Sequence, residues 1–135
     1  MISELILALV LATITPIDIE IDYPDHNITY EWQGEVLTKQ NGVVVGPSGK
    51  ETYYNLPMDG VVRNMRNAGY GEDEYPYWIR EDGVKMLGDY VIVATDFSVR
   101  PQGTVLPTTL GMGISCDTGT FIYTDPYQLD VAVAW

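Results

Sequence analysis

Three aspartates fall at the ends of, or inside, segments with strand character: Asp96 after Tyr90–Thr95, Asp117 after Ile114–Cys116, and Asp130 within Gln128–Ala134. A carboxylate on a buried strand is costly unless it is hydrogen-bonded or does chemistry. Several on neighbouring strands repel one another, and that raises at least one pKa. A carboxylic acid still protonated near neutral pH is what glycosidic-bond cleavage asks of its general acid. The structural alternative for each aspartate, taken singly, is a turn in which its side chain bonds a nearby backbone amide. Other chemistries lack their parts. One histidine, His26, and one cysteine, Cys116, leave nothing for a His-dependent triad, a zinc site or an intrachain disulfide. Without a histidine partner, Cys116 reads as a small buried strand residue. The acidic clusters at 18–25 and 72–74 lack EF-hand spacing and read as solvated, so no metal and no cofactor is implied.

Charge narrows the partners. Seven Lys+Arg against 19 Asp+Glu give a net charge of −12. There is no basic footprint with which to neutralise phosphates, which argues against nucleic acid and against anionic membrane lipid. Ten Tyr and 3 Trp against 2 Phe make the aromatics mostly amphipathic, a type that stacks on sugar rings and also closes small β cores. Tyr53, Tyr54 and Asn55 are candidates to line a groove, with barrel-wall packing as the alternative. Tyr75, Tyr77 and Trp78 could form a stacking platform or a satellite core. Arg100 reads as a solvated turn residue that could also hold a carboxylate.

The elements that must position these groups are short strands. A chain of 135 residues suits one domain. The run 5–12 (LILALVLA) has the length of an export-signal core but no preceding positive charge; a short buried element is the alternative. Period-two alternation at Ile17, Ile19 and Ile21 predicts a short extended segment, and 29–37 (TYEWQGEVL) a strand. The Gly46-Pro-Ser-Gly49 break predicts a boundary between an N-terminal extension (1–48) and the main module (49–135). Beyond it, 52–54 reads as a strand and Asp59 as the N-cap of a helix over 60–68. Tyr90–Thr95 is the strongest strand, since a β-branched run implies burial on both faces. Strands at 104–106, 112–116 and 128–134 follow. Short, closely spaced strands with little helix point to a mainly β fold, a small barrel with one or two short helices.

The strings around the aspartates add a resemblance. Val93–Thr104 reads VATDFSVRPQGT, Gly111–Gly119 reads GMGISCDTG, and Gln128–Val133 reads QLDVAV. This ordered set resembles the three-aspartate (3D) domain, found in MltA-type lytic transglycosylases and in stationary-phase survival proteins of Gram-positive bacteria. Asp96 matches the first Asp, Pro101/Gly103/Thr104 the turn, Asp117/Thr118/Gly119 the second motif and Asp130 the third. Thr52–Asn55 resembles the opening strand, so the likeness covers Lys50 to Trp135. Where family members often continue with Gly-Ala-Ile-Lys-Gly, this chain has Thr120–Pro126, and Gln128 and Leu129 replace a basic residue before the last Asp.

The resemblance implies a double-psi β-barrel whose groove takes the peptidoglycan glycan strand, outside the membrane. It implies cleavage of the MurNAc–GlcNAc β-1,4 bond without water, giving 1,6-anhydro-MurNAc ends. Asp130 would be the acid/base, Asp117 the neighbour that raises and orients it, and Asp96 an anchor. Tyr53, Tyr54, Asn55, Thr118 and Gly119 would bind substrate. Two other readings stand beside it: a non-catalytic carbohydrate-binding barrel, and a dimeric aspartic protease built on Asp117-Thr118-Gly119. The second fits poorly, because only 16 residues follow Gly119.

Overall fold

The run Tyr90–Ala94 is the strand about which the others are arranged, in a computed structural model that describes residues 31–135. The predicted export run and the extended segment at 16–28 lie outside the described residues. Ten elements follow in order: β1 (Val44–Gly46), β2 (Gly49–Tyr54), α1 (Asp59–Asn67), β3 (Tyr77–Ile79), β4 (Lys85–Leu87), β5 (Tyr90–Ala94), β6 (Val105–Thr108), β7 (Gly111–Asp117), a 3₁₀ turn (Thr120–Tyr123) and β8 (Leu129–Ala132). The fold is mainly β, as expected.

One edge of β5 pairs antiparallel first with β4 and then with β8, while its other edge pairs parallel with β7. β8 pairs parallel with β2, β2 antiparallel with β1, β7 antiparallel with β6, and β4 antiparallel with β3. Among the described residues this sheet does not close on itself: β1, β3 and β6 each pair on one side only.

β5 is buried on both faces, as its composition demands. Val91 and Val93 enter one core with Leu37, Val44, Leu106, Leu129 and Val131. Ile92 points the other way, into a second core with Met58, Met65, Leu87, Ile114, Cys116 and Ala132 beneath α1. Each such aliphatic side chain contributes about 1.5–3 kcal/mol relative to exposure, so β5 holds both layers together.

Three expectations change, and one strand was not anticipated. Residues 31–37 form no strand, because no neighbour pairs with them. Leu37 alone is anchored, its side chain buried and its N–H bonded to Thr109 Oγ1 at 3.0 Å. The Gly46–Gly49 break is the turn of the β1–β2 hairpin, and Leu37 and Val44 from before it belong to the core. Asp59 is the first residue of α1 and Met58 its N-cap, so Asp59 favours the helix by its charge near the N-terminus instead of by a capping bond. Finally, the hairpin β3–β4 has a strand at Lys85–Leu87 that composition did not signal.

Candidate active site

Register places the two later aspartates in one row. Asp130 on β8 lies opposite Thr52 on β2 and opposite Ala94 on β5, and Ala94 is in turn opposite Asp117 on β7. Directly paired residues share a face, so Thr52, Asp130, Ala94 and Asp117 form a row across four strands. With strands about 4.8 Å apart, the two aspartates flank Ala94 with Cα atoms on the order of 10 Å apart. Ala94 is small enough to leave the space between them open.

Strict alternation along β7 would send Asp117 away from this face. Ser115 pairs with Val93, yet it is Asp117, not Cys116, that pairs with Ala94, because a β-bulge sits at this step. The extra residue returns Asp117 to the side of Asp130. Pro101–Thr104 holds the start of the bulged region. Gly103, at φ +92°, donates its N–H to the Ser115 carbonyl at 2.8 Å, and Ser115 N–H returns a bond to Thr104. A positive φ there is the conformation that glycine adopts without steric cost.

Both carboxylates border a cavity of about 290 Å³ lined by Tyr54, Leu56, Ala94, Thr118, Gly119, Thr120 and Phe121 as well. Tyr54, two residues along from Thr52 on the same face, donates its hydroxyl to Oδ2 of Asp117 at 2.8 Å. Asp117 Oδ1 accepts the Thr118 N–H at 2.9 Å. The Thr52 hydroxyl donates to Oδ1 of Asp130 at 2.9 Å, and the Gln128 amide donates to the same hydroxyl oxygen at 2.8 Å. Burial first of all, and the charge of Asp117, push the Asp130 acid above the ordinary carboxylate range, against the lowering effect of Thr52. Burial and the same two carboxylates push the Tyr54 phenol far up, so it remains a proton donor. Gly119 has its own part: a side chain there would meet the Phe121 ring at 3.2 Å, so its absence lets the 3₁₀ turn lay that ring against the groove.

The structure thus brings together Asp117, Asp130, Tyr54, Thr118 and Gly119. It does not bring in Asp96, Tyr53 or Asn55. The Asp96 carboxylate accepts the N–H and the hydroxyl of Ser98 at 2.9 and 2.7 Å, the turn alternative for this residue. Tyr53 points to the opposite face, edge-on to Trp135 with ring centroids 4.9 Å apart. The Asn55 side chain is held by the Trp135 carbonyl and the Lys85 ammonium. Period two along β2 separates Tyr53 from Tyr54, and that signal was present in the sequence. Arg100 stays partly exposed and does not hold a carboxylate: it donates to the backbone carbonyls of Ser48 and Tyr127 and ties their loops together. Cys116 is buried, its thiol pushed up to about 12 chiefly by burial.

Thr52, Ala94, Phe121 and Gln128 join the site without having been singled out for it. Gln128 and Asp130 are two residues apart and so share a face, a relation visible in the sequence. Among the described residues no group of three or more His, Cys, Asp or Glu is arranged to hold a metal ion. No protein-family model, curated protein or solved structure matches this chain.

Proposed function

We propose that this groove cleaves the glycan strand of peptidoglycan as a lytic transglycosylase, with Asp130 as its single acid/base. The observation that carries the reading is the shared row: two carboxylates either side of Ala94 at one cavity, one of them made a weaker acid by burial and by its partner's charge. The fold that goes with it is a double-psi β-barrel. Its support is the two parallel pairs, β2–β8 and β5–β7, joined through the antiparallel pair β5–β8.

In this mechanism the Asp130 proton passes to the glycosidic oxygen as the bond from that oxygen to the MurNAc anomeric carbon breaks. The resulting carboxylate takes the proton of the C6 hydroxyl, whose oxygen closes on the anomeric carbon. No water enters, and Asp130 ends protonated for the next cycle. Asp117, fixed by Tyr54, stabilises positive charge developing at the anomeric centre. Binding rests on Phe121, Tyr54 and hydrogen bonds at Thr118, since the cavity lining contains no Lys or Arg.

The test is mass spectrometry of soluble products after the protein meets peptidoglycan, with Asp130→Asn as control. Anhydro-muropeptides that vanish with the variant are the expected result. Reducing-end products would replace the mechanism with hydrolysis by two carboxylates. No products, with the protein still pelleting on wall material, would make the groove a binding site.

A further inference from the structure

The amide of Gln128 touches neither the cavity nor a carboxylate, yet it is buried, 8% exposed, and its one side-chain bond among the described residues goes to Thr52. A hydroxyl has one proton to give. When the amide N–H occupies the Thr52 oxygen as an acceptor, that single proton is directed to Asp130 Oδ1. Oδ1 is then committed as an acceptor, and the proton of the acid form resides on Oδ2. The other titratable groups around Asp130 are Tyr54 from β2 and Asp117 from β7; β5 presents only Ala94.

We propose that Gln128 is a positioning residue that acts through Thr52: it fixes the direction of the hydroxyl bond to Asp130, so the carboxylate form is stabilised and the proton is confined to Oδ2. This deepens the acid/base reading, on which its catalytic meaning rests. Burial and Asp117 favour the protonated form that the first proton transfer uses. Transfer in the reverse direction needs a carboxylate, and the Gln128–Thr52 chain opposes over-protonation.

The experiment is an NMR titration of the Asp130 carboxyl carbon in protein labelled at aspartate, with no glycan present. Four forms are compared: the native chain, Thr52→Val, Gln128→Met, which preserves length without the amide, and the double variant. Both single variants are expected to move the Asp130 midpoint upward, and the double variant no further than Thr52→Val alone. Gln128→Leu, which is uncharged and carries no donor, is expected to move it upward as well and covers the case in which Gln128→Met does not fold. An unmoved midpoint in the Gln128 variants, or a Gln128→Met shift that survives at full size beside Thr52→Val, would overturn the proposal. Because no substrate is involved, this outcome is separate from that of the product assay.

Discussion

Tyr53 and Tyr54 are neighbours on β2 with hydroxyls that do different things, and removing each hydroxyl in turn tests the arrangement of the groove. The Tyr54 hydroxyl donates to the Asp117 carboxylate at 2.8 Å in a half-buried setting, whereas that of Tyr53 reaches the Lys39 carbonyl at 3.2 Å at the surface. A hydrogen bond to a charged group contributes about 1.5–3 kcal/mol net, and partial exposure places this one near about 1.5. Tyr54→Phe should therefore lower the melting temperature by roughly 5–8 °C, while Tyr53→Phe should stay within about 0.5 kcal/mol of the native chain. The phenol is held far above its ordinary range by burial first and then by Asp117, so the Tyr54→Phe loss should not vary between pH 6 and 9. Urea unfolding of both variants, alone and beside Asp117→Ala, measures this. Once Asp117 is gone, the cost of Tyr54→Phe should fall close to zero. Equal costs for the two tyrosines, or a Tyr54→Phe cost that persists beside Asp117→Ala, would refute the assigned partnership and the orientation of β2 with it.

Other consequences are open to direct measurement. Asp130 has a folded pKa above its unfolded value of 3.8, so the folded chain binds its proton more tightly. Stability from this group is full below the unfolded value and is lost as pH rises through the folded one. Asp130→Asn should accordingly gain stability relative to the native chain on going from pH 3 to pH 7 in urea melts, while losing any product formation; a variant that loses stability relative to the native chain over that range would contradict the burial of the acid. Glu51 is fully buried and accepts both the N–H and the hydroxyl of Thr109 at 2.9 Å, and Glu51→Ala strands two donors. That variant should lose about 3–5 kcal/mol by equilibrium unfolding, and Glu51→Gln, which keeps the shape, about 1–3. With its thiol pushed up to about 12, Cys116 should not react with a disulfide reagent at pH 8 unless urea unfolds the chain.

How much of this lay in the residues themselves follows from the range of the forces involved. β5, β7 and β8 were legible because β-branched runs and two-residue alternation are local properties, and burial of both faces of β5 followed from its composition alone. The spacing of Asp117 and Asp130 near strand ends was equally visible. The burial of the lone cysteine was visible too. The Asp96 turn was legible as an alternative, since Ser98 lies two residues away.

Tertiary structure decided the rest. Thr52 and Asp130 meet across 78 positions, and Tyr54 and Asp117 across 63. No local pattern dictates that β8 inserts between β2 and β5, or that β7 takes the other edge of β5. The bulge opposite Ala94 is the sharpest case. By alternation alone Asp117 belongs to the face of Ser115, and one extra residue accommodated between paired strands turns it toward Asp130. Side-chain identity and spacing are written along the chain; which carboxylates share a cavity depends on strand order and register, set by packing between segments far apart in sequence.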